Sequence, residues 1–330
     1  MTAHHDLCQR IGIELPIVQA PMGGAACPAL AAAVSNAGGL GMLALSWHPV
    51  ETLRAEIRAT RALTGKPFGV NLVLAFPQEA RLAAALEEGV KLISFFWGDP
   101  APFVDHVHAA GALAMTTVGS AAEAKAAAGA GVDVIVAQGW EAGGHVWGQV
   151  GTLPLVTAVV DAVAPTPVLA AGGIADGRGL AAALALGAAG AWIGTRFLAS
   201  EEAAIHPVYR ERLFAADESQ TVYTELFDGG WPNAPHRVLR NSTVQAWEAA
   251  GCPKTGRPGE GEVICRSAFG PMPRYASYTA GPTDTGDIEA TSLWAGQGVA
   301  GVTRAQPAAE IVRDIAAEAR SVLGSLSGAL

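Results

Sequence analysis

Short apolar runs recur along the chain at fairly even spacing. They begin near Pro16, Gly39, Lys66, Val90, Gly111, Val132, Thr166 and Ala189. Between most of them lie stretches rich in Ala, Leu and Glu that carry a helical pattern and end near glycine, at 29–37, 50–63, 78–88, 101–110 and 121–130. Strands that alternate with helices predict a parallel sheet. Eight short units of similar length favour a closed (β/α)₈ barrel, that is, a TIM barrel; an open doubly wound sheet is the alternative. The rhythm stops after Phe197. The 200–217 stretch reads as a polar helix, and 218–286 mixes Pro, Gly and charge without sustained periodicity. The pattern therefore predicts a barrel from 1–200 and 300–325, with 201–299 as an inserted lid-like or packing excursion on it. A C-terminal amphipathic helix is expected over 307–323.

The unit from 167 to 197 is the most informative. It reads as strand, glycine turn, helix, strand, glycine turn. Asp176 is placed to cap its helix and Gly187 to end it. Both strands stop in small residues, at Gly172-Gly173 and Gly194-Thr195. Glycine lets an anion approach the backbone, and in a barrel the usual phosphate site follows strands 7 and 8. Tight turns alone are the competing explanation for these glycines.

Functional groups of a barrel sit at the C-terminal ends of its strands. After the first strand come Ala20, Pro21 and Met22, which could lie along a planar ligand or simply form a turn. Asn71 is a polar residue among apolar neighbours in the third, able to donate and accept toward a heterocycle or to cap a turn. The fourth ends in Phe95, Phe96 and Trp97, which wall a pocket or, more commonly, join a core. The sixth leads into Gln138-Gly139-Trp140-Glu141-Ala142-Gly143-Gly144-His145-Val146-Trp147-Gly148. His145 is the only imidazole of this long glycine-rich loop. It is the candidate acid/base, since histidine ordinarily titrates near neutrality, and Trp147 is expected to lie beside it as an aromatic wall. The other reading is a histidine bound to a loop carbonyl.

Composition narrows the class. The chain has 330 residues, a net charge of −9 and no Lys/Arg cluster, so nucleic acid is an unexpected partner. No apolar run reaches the roughly 20 residues of a membrane span, and the first residues show no long apolar core of a signal peptide. The four cysteines have no CxxC spacing. Free thiols in a cytoplasmic protein are expected, with no metal site. Asp105, His106 and His108 do not form a ligand set on a helix, where i and i+2 diverge.

The ordered motifs QAPMGG (19–24), SNAGGLGML (35–43), GVNL (69–72), QGWEAGGH (138–145), AAGGIADGRG (170–179) and GTRF (194–197), with WPNAPHRVLRN and WAGQG in the tail, resemble the nitronate monooxygenase (2-nitropropane dioxygenase) family. The resemblance runs from about Leu15 to the C-terminal helix. It implies an FMN-dependent TIM barrel that oxidises alkyl nitronates with oxygen to a carbonyl compound and nitrite. It implies that Asn71, Gln138 and Gly143 touch the flavin, that Gly172, Gly173, Trp192, Ile193, Gly194 and Thr195 hold its phosphate end, and that Ala20, Pro21 and Met22 lie beside the ring. Gln297 would close over it, and His145 would be the active-site histidine. The same sequence space takes in FMN-dependent NAD(P)H reductases of quinones or enoyl thioesters. A non-catalytic flavin- or phosphate-binding barrel is the remaining alternative.

Overall fold

The computed structural model describes residues 3–326, the side chains of residues 3–5 excepted. Eight parallel strands form one sheet: Ile17–Gln19, Gly41–Ala44, Phe68–Val73, Leu92–Phe96, Leu113–Val118, Val134–Gln138, Val168–Ala171 and Gly190–Ile193. Each begins within two residues of its predicted start. Counted as barrel strands, the second to eighth pair in sequence order and the eighth pairs with the first. Closure comes between the first two, where Val18 bridges Leu40. The Gln19 N–H donates to the Leu40 carbonyl and the Leu40 N–H to the Ile17 carbonyl, both at 2.9 Å. Gln19 reinforces this seam with its side chain: Oε1 accepts from the Met42 N–H at 3.0 Å and Nε2 donates to the Met42 carbonyl at 3.2 Å. The fold is a TIM barrel, and the open sheet is excluded.

The helices follow from the same periodicity. Leu53, Ile57 and Thr60 form the buried stripe of the helix Val50–Leu63. Ser120 caps Ala121–Gly129 through the Glu123 N–H, and Asp176 caps Gly177–Ala185 through the Gly179 N–H. Ile311, Ile315 and Ala319 bury one face of the C-terminal helix Ala308–Leu326 against Leu180 and Ala181. The barrel interior is filled by Val18, Leu40, Met42, Met115, Val134, Leu169 and Trp192, joined by Leu7 and Ile11 of the helix Ala3–Ile11.

One expectation needs correction. The 200–217 stretch is not a single helix, because only Pro207–Phe214 is helical, capped by the His206 side chain. Arg210 Nη2 instead donates to the carbonyls of Ser200 and Ala203, which keeps 200–206 irregular. Beyond it the chain forms small antiparallel pieces. Thr221–Thr224 pairs with His236–Leu239, which pairs in turn with the two-residue strand Gly144–His145 of the glycine-rich loop. The small sheet of this segment thus continues into the histidine loop.

Candidate functional site

The loop after the sixth strand is held at both ends. Glu141 returns to the helix Thr152–Val163, where its carboxylate accepts from the Thr152 N–H at 2.8 Å and from Thr152 Oγ1 at 2.9 Å. A carboxylate at a helix N-terminus is favoured by the unpaired N–H groups there. Gln138 fixes the far end, since Nε2 donates to the His145 carbonyl and Oε1 accepts from the Trp147 N–H, each at 3.0 Å. Opposite the loop, Arg237 is 1 % exposed and donates from Nη2 to the Trp140 carbonyl at 2.9 Å. Its guanidinium lies 4.3 Å over the Trp140 ring.

His145 therefore enters the mouth from a braced loop. Its ring stacks on Trp231, with centroids 3.9 Å apart and planes at 27°. Trp97 stands edge-on at 5.8 Å, Trp294 is tilted at 5.3 Å and His236 lies at 5.5 Å. Nε2 of His145 is buried and has no hydrogen-bond partner among the described residues. Burial, with a smaller contribution from His236, pushes the pKa of His145 down to about 3. The ring is thus neutral at physiological pH. His236 is a structural partner: Nδ1 lies 2.8 Å from the Ala234 carbonyl and Nε2 accepts from the Phe227 N–H at 3.2 Å.

The small residues at the strand ends converge through the tail segment 294–298. The Gly296 N–H donates to Thr195 Oγ1 at 3.0 Å, after the eighth strand. The Gln297 N–H donates to the Glu141 carbonyl at 2.9 Å, in the loop after the sixth. A Cβ on Gly298 would lie 2.9 Å from the Gly173 carbonyl oxygen, after the seventh, and one on Gly143 only 2.2 Å from the Gly296 nitrogen. Gly143, Gly172, Gly173, Thr195 and Gln297 are brought together in this way. Gly172 and Gly173 have φ of +103° and +71°, a conformation that L side chains resist. Ala20 and Met22 flank Gly194, and the Ala20 N–H donates to the Ile193 carbonyl at 2.8 Å. Pro21 follows in the same turn. Trp192 is 8 % exposed and belongs to the barrel interior. Asn71 stands apart from this group, inside the third strand, with Nδ2 bound to the Ser94 carbonyl at 3.2 Å and to Ser94 Oγ at 3.3 Å.

The rings that the tail brings to the mouth, Trp231, His236 and Trp294, escape a reading of strand ends. Trp231 comes from the excursion, where only the familial look of its motif pointed to it. Trp97 lies at the mouth, whereas its neighbour Phe95 stacks on Phe103 in the core between barrel and helices. Trp147 does not wall His145 directly: its Nε1 donates to Glu123 Oε2 at 2.9 Å and its ring meets Trp97. Trp140 points away toward Tyr223. The described residues hold no cluster of metal-ligating side chains and no helix long and apolar enough to cross a membrane.

Comparison with known proteins places the chain. The nitronate monooxygenase family model matches residues 5–83 and 74–318. A (3aS,4S,5R,7aS)-5-hydroxy-7a-methyl-1-oxo-octahydro-1H-indene-4-carboxyl-CoA dehydrogenase of Mycobacterium tuberculosis is 42 % identical over 76 % of this chain and 70 % of its own. A nitronate monooxygenase of Paraburkholderia phytofirmans is 33 % identical over 98 % of both chains. The structure of FabK from Thermotoga maritima superposes with a TM-score of 0.83, at 32 % identity, over 98 % of this chain and 99 % of that one. With the strand order, the glycine-lined strand ends and the histidine loop already in place, these matches show that the chain is an oxidoreductase belonging to the nitronate monooxygenase family.

Proposed function

We propose that the protein binds FMN at the C-terminal face of the barrel and oxidises alkyl nitronates with oxygen to a carbonyl compound and nitrite. The observation that carries this reading is the buried, unpartnered Nε2 of His145 at a mouth whose neighbouring strand ends are glycine. The residues present fit a flavin mononucleotide. A Cβ on Gly144 would meet nothing within 4 Å, one on Gly173 only Glu141 Cβ at 3.6 Å, and one on Gly194 only Ala20 Cβ at 3.6 Å and Met22 Sδ at 4.0 Å. Backbone with open space beside it suits close approach of a flat ring and an anionic tail.

On this reading Gly172, Gly173, Gly194 and Thr195, with the preceding Trp192 and Ile193, hold the phosphate end. Ala20, Pro21 and Met22 line the ring, with Asn71 and Gly143 at its polar edge, Gln297 over it, and Gln138 beside it, its amide holding the histidine loop against the flavin. FMN, when bound, supplies the electron transfer between nitronate and oxygen. His145 offers a neutral imidazole to an anionic substrate. An anion beside Nε2 raises the histidine pKa from its low value in the closed mouth, so the ring can hold a proton toward the bound nitronate, and from a neutral nitroalkane Nε2 would take the α-proton as the nitronate anion forms beside it. The 201–299 segment acts as the cover of the mouth, since it contributes Trp231, His236 and Trp294 to the surroundings of His145.

The test is His145→Ala. Retained fold and FMN with nitrite release reduced by about 10²–10⁴-fold supports a positioned acid/base group. Unchanged release at full flavin occupancy removes His145 from the reaction. A second reading, FMN-dependent NAD(P)H reduction of a quinone or enoyl thioester, draws on the 42 % identical relative, which is named as a carboxyl-CoA dehydrogenase. Rapid anaerobic reduction of the bound flavin by NADPH favours it.

A further inference from the structure

Two flat rings with centroids 3.9 Å apart leave no room for a third group between them. The Trp231 indole therefore occupies one face of the His145 imidazole. Trp231 is 6 % exposed and is boxed by aromatic edges: Trp97 at 5.2 Å, Phe76 at 5.6 Å and Trp47 at 5.8 Å. Its ring is surrounded by other rings, and among the described residues no charged group is hydrogen-bonded to it.

The backbone that carries Trp231 is anchored on both sides, and its own N–H donates to the Asp228 carbonyl at 3.0 Å. On one side Asp228 pairs with Arg257 at 2.9 Å, the Gly229 N–H donates to the Tyr275 carbonyl and the Gly229 carbonyl accepts from the Ser277 N–H. On the other, the Pro235 carbonyl accepts from the Val146 N–H at 2.9 Å and His236 pairs with His145. Between them Gly230 has φ of +96° and no atom within 4 Å of where a Cβ would stand. The anchors hold the stem to the histidine loop, and the space beside Gly230, next to the indole's own residue, is open.

We infer that Trp231 is a specificity-determining residue that stands in the substrate's place, so that the site selects nitronates whose carbon carries a flat, conjugated substituent. This inference deepens the nitronate reading and rests on it for the position of the substrate at His145. A planar group that displaces the indole inherits its stacking on His145 and its contacts with the edges of Trp97, Phe76 and Trp47. Aromatic pairs prefer such offset-stacked and edge-to-face arrangements. A compact, branched aliphatic group fills the same space without either contact. The indole also competes with every ligand, which lowers apparent affinity by the fraction of molecules in which the place is open.

The experiment uses the FMN-loaded full chain labelled with 5-fluorotryptophan, with the Trp231 resonance identified by its loss in Trp231→Phe. The probes are nitrobenzene and 2-methyl-2-nitropropane, two nitro compounds that lack an α-hydrogen and form no nitronate. The expected result is a saturable shift of the Trp231 signal with nitrobenzene and at least tenfold weaker binding of 2-methyl-2-nitropropane. Trp231→Ala should tighten nitrobenzene binding by about tenfold, because the competitor is gone, and Trp231→Phe should fall between. A Trp231 resonance unmoved at saturating nitrobenzene overturns the inference, as does weaker nitrobenzene binding in both variants, which would make Trp231 a wall. If Trp231→Ala does not fold, the resonance shift and Trp231→Phe decide the matter. Nitronate turnover with an unmoved Trp231 defeats this inference alone. A displaced Trp231 in a protein that turns over no nitronate defeats the functional reading instead, and leaves the planar binding place standing.

Discussion

The side-chain amide of Gln138 is spent on the histidine loop: Nε2 donates to the carbonyl oxygen of His145 at 3.0 Å, while Oε1 accepts from the Trp147 N–H at the same distance. Gln138 stands at the end of the sixth strand, so this pair of bonds ties the orientation of the imidazole to the barrel itself. Gln138→Leu keeps the approximate volume and removes both bonds. The expected outcome is a fall in kcat of about tenfold to hundredfold, as befits a displaced reacting group, with most of the FMN retained. Flavin content and kcat on the same preparation check it. Loss of FMN with unchanged turnover per flavin would show that Gln138 acts on the cofactor only.

Gly143 and Gly173 separate packing from binding. A Cβ on Gly143 would sit 2.2 Å from the Gly296 nitrogen and 2.4 Å from the Ala295 carbonyl carbon, both backbone. Gly143→Ala must push the 294–298 segment away from the loop, and a cost of about 1–3 kcal/mol is expected. Thermal unfolding should show a clearly lower Tm. Gly173 is exposed and would meet only Glu141 Cβ at 3.6 Å, so Gly173→Asp strains mainly its own φ of +71°. A cost of about 1 kcal/mol is expected, with loss of FMN through like-charge conflict with its phosphate. A Gly173→Asp protein that keeps FMN tightly would contradict the assignment of the phosphate end.

Acid should weaken the fold through two buried imidazoles. Burial pushes His145 down to about 3 and His236 down to about 4, against an ordinary value of 6.5. Below about pH 6.5 the unfolded chain binds protons that the folded protein does not, so stability is full above that pH and falls as pH drops toward 4 and then 3. Each ring should account for a loss on the order of 2 kcal/mol between pH 7.5 and 5. Denaturant midpoints at the two pH values measure the loss. Replacing His145 by Leu should reduce the slope by about half, and an unchanged slope would mean that the ring is not buried neutral.

Much of the barrel was legible because most strands are short apolar runs that stop near glycine or a polar residue, and two of its helices carry their own side-chain cap. Asp176 and Ser120 are local signals that tertiary structure had no reason to override. The 200–206 stretch was misread because the bonds that keep it irregular come from Arg210, a residue beyond it whose direction no pattern reveals. The loop was legible as a place, since glycine density marks it, yet its electrostatics were not. The low pKa of His145 depends on rings brought in from Trp231, Trp97 and Trp294, all distant in sequence. Trp147, the nearest aromatic in sequence, was drawn instead to Glu123. Gln19 looked like part of a motif, and its work in sealing the first two strands appears only when Met42 is beside it.

On the proposed reading, the FMN-loaded protein takes electrons from a nitronate at His145. Anaerobic stopped-flow mixing of the holoenzyme with propionate 3-nitronate, and separately with NADPH, tests it most directly. The account expects rapid bleaching of the flavin by the nitronate, slowed by about 10²-fold or more in His145→Ala, and negligible bleaching by NADPH on the same timescale. Rapid bleaching by NADPH with none by the nitronate would contradict it.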